Sequence, residues 1–236
     1  MTQKFEYTGN DLEIMSCAKN YNLWILDNFS PYINGKVIEV GGGLGNLSEL
    51  IAKQCKSLIS VEPDEANYNI ICNKLQNQNH VEVFLGFLCD FLKEKQTTAD
   101  CILYINVLEH IENEIEELSL AKAALNPNGY ICVFVPALQM LYGAVDKQVG
   151  HYRRYSKKHL IDLFENQLNM KIVKINYFDI LGVIPWYILS CVLKLTGQNP
   201  TTVKIYDKLI VPVMSRIEKH LKLPLGKNIY VIATKK

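Results

Sequence analysis

Four glycines within five residues constrain the fold of this chain more than any other feature. They lie in VIEVGGGLGNLS, residues 37–48, behind a short apolar run that contains an acid. Glycines cluster where the backbone must adopt a conformation, or approach another group, in a way that a side chain would prevent. A glycine turn between a strand and a helix also presents free N–H groups to an anionic or polar ligand. The stretch therefore predicts a ligand-binding turn at the end of a first strand.

The composition fits one domain that spans residues 1–236, with 49% hydrophobic and 21% charged residues. A formal net charge of +1 supplies no overall field for nucleic acid, so we expect no nucleic-acid partner. The seven cysteines form no CxxC pair, which predicts reduced thiols and no metal. The start of the chain, MTQKFEYTGNDLE, has no apolar run behind a basic residue, so we expect a cytoplasmic protein.

Short β-branched runs alternate with helical patterns from KVIEV at residue 36 to GYICVFVP at residue 129. This rhythm predicts an α/β fold with a doubly wound, mostly parallel sheet and helices on both faces. Residues 1–30 have helical spacing and predict an N-terminal helical cap. Asp64 is the expected N-cap of the helix after the second strand, and Ser156 is the expected N-cap of a helix that begins near Lys157.

A long helical insertion is expected before the last strand, at residues 178–226. Within it, ILGVIPWYILSCVL is uncharged but only fourteen residues long, whereas a spanning helix needs about 20. We expect a lid over an apolar pocket, with kinks or breaks at Pro185 and Pro212. Shallow contact with a membrane surface stays open.

The glycine spacing separates two classes of ligand. Dinucleotide binders use GxGxxG, but the sixth position is Asn46 when counted from Gly41 and Ser48 when counted from Gly43. Glu62, nineteen residues after Gly43, ends the second strand, where a carboxylate can accept hydrogen bonds from both ribose hydroxyls. Because nicotinamide enzymes use the same acid, an oxidoreductase remains an alternative.

The pattern Glu39-x-Gly41-x-Gly43-x-Gly45 resembles motif I of class I S-adenosylmethionine methyltransferases, which have a Rossmann-like fold. ADCILYINVLEHIEN, residues 99–113, resembles a further segment of that family. CAKNYNLWI and VFVPALQMLYGAVDKQVGHYRRYSKKHL are similar to a subgroup that is often encoded with glycosyltransferases. The resemblance implies a seven-stranded sheet of order 3-2-1-4-5-7-6, S-adenosylmethionine as cofactor and S-adenosylhomocysteine as product.

The same resemblance implies a set of cofactor-binding residues, with Tyr21 covering the methionine end. They are Tyr21, Glu39, Gly41, Gly43, Gly45, Glu62, Pro63, Leu88, Asn106 and Val107. One position departs from the family, which commonly has Gly-Asp after the third strand where this chain has Gly86-Phe87. Since Phe87 cannot accept a hydrogen bond from adenine, either the Leu88 amide or Asp90 must replace that contact.

The stretch GHYRRYSKKH, residues 150–159, contains groups suited to two kinds of methyl acceptor. A hydroxyl acceptor needs a base, for which His151 is the first candidate. Asp146 orients His151 or takes the proton itself, and His110 is a further candidate. A carboxyl acceptor instead needs cations, and Arg153 and Arg154 are expected to bind it. Tyr142 and Tyr155 complete the predicted substrate-binding set.

The sequence thus predicts a methyltransferase that acts on a small-molecule hydroxyl or carboxyl group, with a saccharide or lipid-linked glycan as the suggested acceptor and a glycosyltransferase as the suggested partner. Two alternatives remain at this stage. One is a nicotinamide-dependent oxidoreductase. The other is a degenerate methyltransferase fold that binds a partner protein, for which Phe87 is the supporting feature.

Overall fold

A seven-stranded sheet organises the chain, of which the computed structural model describes residue 7, residues 11–197 and residues 199–236. The strands are β1 Lys36–Val40, β2 Ser57–Glu62, β3 Val81–Leu85, β4 Ala99–Ile105, β5 Leu125–Pro136, β6 Met170–Phe178 and β7 Asn228–Lys235. Their order is 3-2-1-4-5-7-6, and β7 alone is antiparallel to its neighbours. This confirms the predicted fold class and the order that the resemblance implied.

Helices cover both faces of the sheet. They are α1 Asp11–Ser16, α2 Lys19–Asp27, α3 Asn46–Ala52, α4 Glu65–Leu75, α5 Leu88–Lys95, α6 Glu114–Ala123, α7 Ala144–Gln148, α8 Lys157–Ile161, α9 Val183–Trp186, α10 Pro200–Leu209 and α11 Val211–Glu218. Successive residues of a strand point to opposite faces. In β1, Ile38 therefore joins the core cluster that contains Phe91, and Val37 joins the cluster that contains Trp24.

The N-terminal region contains two helices where the sequence pattern predicted one. The chain turns at Cys17 and Ala18 between α1 and α2. Asp207 of α10 accepts hydrogen bonds from the first amides of α2, those of Asn20 and Tyr21, at 3.2 and 2.8 Å. A side chain from the insertion thus satisfies the helix start, which local sequence could not reveal. Residues 1–6 and 8–10 of the predicted cap lie outside the described residues.

The insertion lies between β6 and β7 and contains α9, a wide helical segment over Tyr187–Val192, α10 and α11. Pro212 occupies the first turn of α11, where its missing N–H costs nothing. The expected caps are present elsewhere, since Asp64 Oδ1 accepts from the Asn67 amide at 2.9 Å and Ser156 Oγ from the His159 amide at 3.1 Å. Among the described residues, no helix is both long and apolar enough to cross a bilayer.

Candidate active site

The glycine turn follows β1, whose neighbours in the sheet are β2 on one side and β4 on the other. The strand order reverses between β1 and β4, and open α/β sheets bind ligands beyond the carboxyl ends of their strands at such a point. Gly41, Gly43 and Gly45 have φ values of 76°, 56° and 70°, in the left-handed region. A Cβ on Gly41 would lie 2.5 Å from Val107 Cγ2, and one on Gly42 would lie 2.3 Å from Ser60 Oγ. The turn therefore needs glycine for its conformation and for its close packing against β2 and the segment after β4.

Glu39 lies beneath this turn and is almost fully buried. Its Oε2 accepts hydrogen bonds from Ser48 Oγ at 2.5 Å and Ser60 Oγ at 2.8 Å. Burial raises the pKa of Glu39 to about 7, although the hydrogen bonds from Ser48 and Ser60 favour the carboxylate and oppose this shift. Glu39, which was predicted to bind the cofactor, thus links Ser48 of α3 to Ser60 of β2 through its described hydrogen bonds.

Glu62 joins the glycine turn to the end of β2. Its Oε2 accepts from the Gly43 amide at 2.7 Å, and its Oε1 accepts from the Asp64 amide at 3.0 Å. Burial raises the pKa of Glu62, and the two amides oppose that shift. The acid predicted from its distance to the glycines therefore touches the glycine turn directly.

Two residues before α2, Tyr7 and Leu12, reach the edge of the sheet where the glycine turn lies, which the sequence did not predict. Leu12 Cδ2 lies 3.3 Å from the position of a Cβ on Gly43. The Tyr7 amide donates to Asp64 Oδ2 at 2.9 Å, and the Tyr7 ring meets the His110 ring edge-on at 5.7 Å. Leu12 thus lies at the glycine turn, and Tyr7 lies between the end of β2 and the loop after β4.

The residues predicted after β3 and β4 also reach this edge. Asn106 has a φ of 54° and donates its amide to the Phe134 carbonyl at 2.8 Å, while Val107 packs against Gly41. Leu88, at the start of α5, is buried, whereas Phe87 is 47% exposed. Asp90 Oδ2 accepts a hydrogen bond from the Phe87 amide at 3.4 Å, so this acid has a partner at the start of its own helix, α5.

Tyr21, predicted to cover the methionine end of the cofactor, makes its described hydrogen bonds at the insertion, and its role toward the cofactor stays a prediction. Its hydroxyl donates to Asp179 Oδ2 at 3.0 Å and accepts from Asn228 Nδ2 at 2.8 Å. Lys227 Nζ lies 3.1 Å from the same carboxylate oxygen of Asp179. The buried Tyr21 therefore ties α2 to the junctions where the insertion leaves β6 and enters β7.

A second polar cluster is centred on His151. Its Nδ1 lies 2.8 Å from Asp146 Oδ1, and its Nε2 lies 3.9 Å from Glu109 Oε1. The His110 ring is 4.6 Å from the His151 ring. The three predicted catalytic residues thus lie together, with Glu109 as a fourth member that the sequence placed in the motif without a chemical role.

Asp146 fixes the orientation of His151. Burial opposes its ionisation, but hydrogen bonds from His151 and Gly143 and the Arg154 guanidinium lower the pKa of Asp146. An ionised Asp146 only accepts hydrogen bonds, so His151 Nδ1 carries a proton, and the other ring nitrogen, Nε2, is directed toward Glu109. Tyr142 supports the same loop, because its hydroxyl donates to the His151 carbonyl at 2.6 Å.

Glu109 is the anomalous member of the cluster. Its side chain is buried, and neither carboxylate oxygen has a hydrogen-bond partner among the described residues. Burial raises the pKa of Glu109 to about 7, although His151 and Arg154 oppose the shift. Burial, followed by the charge of His151, lowers the pKa of His110 to about 4. A buried polar group without a partner is rare in proteins and calls for a physical reason.

The two arginines predicted to bind an anionic acceptor are engaged with the protein. Arg153 donates to the carbonyls of Ile111 and Glu112 at 2.8 and 2.7 Å and to Glu114 at 3.1 Å. Arg154 is buried and donates to Asp146 Oδ1 at 2.8 Å and to the Ala137 carbonyl at 3.1 Å. Both guanidinium groups therefore hold the loop in place.

Tyr155, predicted to bind the substrate, is bonded within the protein. It is fully buried, and its hydroxyl donates to Glu114 Oε2 at 2.5 Å. His159 Nε2 lies 2.7 Å from the other oxygen of Glu114. Tyr155 thus anchors the loop to the start of α6.

A largely apolar cavity of about 270 Å³ lies between α2, α7 and the insertion, away from the glycine turn. Tyr21, Val145, Trp186, Leu189 and Val203 are among its lining residues. Val145 directly precedes Asp146 in α7. The cavity therefore adjoins the helix that positions His151.

Comparison with known proteins defines the class. A family model described as a methyltransferase domain matches residues 21–174. This match covers more than half of the chain, so the protein belongs to the methyltransferase-domain family. The enzyme class and the S-adenosylmethionine cofactor expected from the sequence are thereby confirmed.

Solved structures share the fold at low sequence identity. An S-adenosylmethionine-dependent methyltransferase from Archaeoglobus fulgidus aligns with a TM-score of 0.61 and 21% identity over 92% of this chain and 94% of that one. Coclaurine N-methyltransferase bound to N-methylheliamine and S-adenosylhomocysteine aligns with a TM-score of 0.59 and 16% identity, over 90% of this chain and 72% of that one.

Curated relatives match shorter segments. A probable ribosomal RNA small subunit methyltransferase A from Methanosarcina acetivorans is 34% identical over 50 residues, or 21% of this chain and 19% of the relative. An uncharacterized RNA methyltransferase from Mycoplasma mobile is 30% identical over 103 residues, or 41% of this chain and 28% of the relative. The chain thus spans less than a third of the length of these relatives.

Proposed function

We propose that the protein transfers a methyl group from S-adenosylmethionine to a hydroxyl oxygen of a saccharide or lipid-linked saccharide. The observation that carries this proposal is the His151 imidazole, which Asp146 holds with Nε2 directed toward Glu109. Asp146 is the positioning residue, and His151 Nε2 is the atom that acts on the acceptor oxygen. Proton removal by this nitrogen is its simplest action, since an alcohol needs a base before it attacks the methyl carbon.

The contacts of the arginines favour a hydroxyl acceptor over a carboxyl acceptor. A carboxylate needs cations but no base, and the loop would supply Arg153 and Arg154. Both guanidinium groups already bind protein carbonyls and carboxylates. The imidazole of His151, in contrast, keeps one nitrogen available for chemistry.

For the cofactor, we assign the binding site of the nucleoside part of S-adenosylmethionine, which contains no pyrophosphate, to the edge formed by the glycine turn and Glu62. Gly41, Gly43 and Gly45 bring backbone close to the ligand, and Glu62 accepts hydrogen bonds from the ribose. Asn106 and Val107 border the methionine part from the loop after β4. Glu39, Pro63 and Leu88 complete the proposed set, with Glu39 acting through Ser48 and Ser60.

The insertion supports a lipid-linked acceptor. Its outer surface exposes apolar side chains, including Ile184 at 69%, Val192 at 56% and Leu193 at 56%. The six basic residues of the insertion are exposed, whereas its three acidic residues are buried. The basic residues are Lys194, Lys204, Lys208, Arg216, Lys219 and Lys222. Exposed apolar side chains together with exposed basic ones suit an anionic membrane surface, where a glycosyltransferase partner would also meet its substrate.

The test is methyl transfer from labelled S-adenosylmethionine to three acceptor sets: lipid-linked saccharides, free saccharides and RNA. We expect labelled ether products in a saccharide fraction, and about 100-fold less product from His151→Ala, the usual effect of losing an acid–base group. His220→Ala, which changes an exposed histidine of the insertion, should retain full activity. Label in RNA alone would refute the proposed acceptor and favour the activity named for the curated relatives.

A further inference from the structure

We propose that Glu109, His110 and His151 bind a divalent first-row transition metal ion. The ligand atoms of these three side chains all lie within 4.8 Å of one another. Two imidazole nitrogens and one carboxylate oxygen are the donor set of catalytic zinc sites and of non-haem iron sites. The sequence pattern predicted no metal, because the two segments that supply the donors are about forty residues apart.

The geometry of the cluster accommodates an ion. Donor atoms at about 2.1 Å from one ion are at most about 4 Å apart. The 3.9 Å between His151 Nε2 and Glu109 Oε1 already meets this limit. Since all the donor atoms lie within 4.8 Å of one another, the other separations need an adjustment of less than about 1 Å, which side-chain rotation provides.

The buried carboxylate of Glu109 is an independent observation that points to a ligand. Both of its oxygens lie out of contact with solvent and without a hydrogen-bond partner among the described residues. Burying a carboxylate is costly unless a cation or hydrogen-bond donors compensate it. A divalent ion bound to Glu109 Oε1 supplies the compensation that the described residues do not.

The contacts of His151 are those of a metal-binding histidine, because a buried carboxylate accepts from its second ring nitrogen. Metal-binding histidines generally donate their second ring N–H to a carboxylate or carbonyl, which fixes the ring and its tautomer. Asp146 provides this carboxylate at 2.8 Å, and Arg154 Nε in turn donates to the same Asp146 oxygen at 2.8 Å. Nε2 of His151 is thereby left as the donor atom for the ion.

Three protein donors leave positions on the ion for water and for the acceptor hydroxyl. A metal ion lowers the pKa of a bound O–H group, so the acceptor releases its proton to solvent. The oxygen then attacks the sulfonium methyl carbon as the C–S bond breaks and its electron pair returns to sulfur. The ether and S-adenosylhomocysteine leave. In this role the ion takes the place of His151 as the group that activates the hydroxyl, so the role rests on the proposed methyl transfer; binding of the ion does not.

Binding is tested on the full chain, stripped with a chelator and equilibrated with Zn²⁺, with bound zinc measured by mass spectrometry after gel filtration. We expect one ion per chain, and Co²⁺ should give the visible absorption of a nitrogen–oxygen site. Glu109→Gln, which keeps the side-chain shape, should lose the ion. His220→Ala, the control for surface histidines, should keep it. Asp146→Asn should weaken binding by about 10- to 100-fold.

Thermal unfolding gives a readout that does not depend on activity. Zn²⁺ should raise the Tm of the wild type and of His220→Ala, and should leave the Tm of Glu109→Gln unchanged. Zinc binding that persists in Glu109→Gln, or that falls equally in His220→Ala, would overturn the site. If Glu109→Gln does not fold, zinc retained by His151→Ala would overturn it instead.

Methyl transfer separates the two proposals. Activity that is lost on chelation and restored by Zn²⁺, Mn²⁺ or Fe²⁺ supports the role of the ion. Full activity in the stripped protein refutes that role and leaves His151 as the base. An ion-loaded protein that methylates no saccharide refutes the proposed function while the metal site stands.

Discussion

The Gly43 amide donates a hydrogen bond of 2.7 Å to Glu62 Oε2, which joins the glycine turn to the end of the second strand. In the proposed cofactor site, the same carboxylate binds the ribose. Replacing Glu62 with Gln removes a charged acceptor, so the Kd of S-adenosylhomocysteine should rise about 10- to 100-fold in calorimetry. Glu82→Gln, on the exposed part of β3, should leave the Kd unchanged. Equal affinity in both variants would place the ribose elsewhere.

Replacing Gly41 with a larger residue has two costs, a steric clash and left-handed backbone strain, and these can be measured separately. Gly41 and Gly150 have φ values of 76° and 79°, but only a Cβ on Gly41 meets another atom, Val107 Cγ2 at 2.5 Å. Left-handed strain alone should cost Gly150→Ala about 1 kcal/mol in the free energy of unfolding. Gly41→Ala should cost about 1–3 kcal/mol more, as overpacking does.

The double variant Gly41→Ala/Val107→Ala provides the control for that clash in denaturant unfolding. It should recover part of the loss, because the smaller residue at 107 makes room for the new Cβ. Equal destabilisation of Gly41→Ala and Gly150→Ala would show that packing at residue 41 is loose.

Burial of Glu39 predicts a pH dependence of stability. Its pKa is about 7 in the folded protein against an ordinary value of 4.5, so the folded state holds the proton more tightly. Stability from this group is fully present below pH 4.5 and is lost as the pH rises to about 7, by up to about 3 kcal/mol. The ionisable neighbours are Glu62 and the Cys55 thiol.

Denaturant unfolding at pH 5 and pH 8 measures this contribution. Between these values, the wild type should lose about 1–3 kcal/mol more stability than Glu39→Gln, which cannot ionise. Parallel pH profiles for the two proteins would mean that the folded Glu39 keeps an ordinary pKa.

Tyr21 is expected to stabilise the fold without binding the cofactor. Its hydroxyl bonds to Asp179 and Asn228 inside the protein. Tyr21→Phe leaves these buried groups short of a partner, so the free energy of unfolding should fall by about 1–3 kcal/mol. The Kd of S-adenosylhomocysteine should stay the same. A large loss of affinity with unchanged stability would restore the role that the sequence suggested.

The apolar surface of the insertion should bind anionic vesicles. Ile184→Asp/Leu193→Asp removes two exposed apolar side chains and should lower binding to phosphatidylglycerol vesicles at least about 10-fold in co-sedimentation. Ile115→Asp, at a similarly exposed position on α6, is the matched control. Binding of the wild type should weaken as salt rises, because the exposed charged residues of the insertion are basic. Equal binding of all three proteins would exclude this surface.

Much of the fold follows from the local sequence. The strand pattern, the glycine turn and the caps at Asp64 and Ser156 depend on neighbouring residues, so the sequence predicted them. Glu62 was found from its distance to the glycines, because parallel strands bring their carboxyl ends to one edge. The break between α1 and α2 was missed, since Asp207 determines it from nearly two hundred residues away.

The chemical roles depended on contacts between distant segments. The sequence brought His110, Asp146 and His151 forward as reactive residue types, and it determined the class of enzyme through motifs that are each continuous in the chain. Only the tertiary structure decided that Arg153, Arg154 and Tyr155 bind the protein and that Tyr21 bonds to residues of the insertion. It also left the Glu109 carboxylate without a hydrogen-bond partner in the part of the chain that the structure describes. Whether a polar side chain is available for chemistry depends on which other groups the fold places within hydrogen-bond distance, and neither spacing nor composition contains that information.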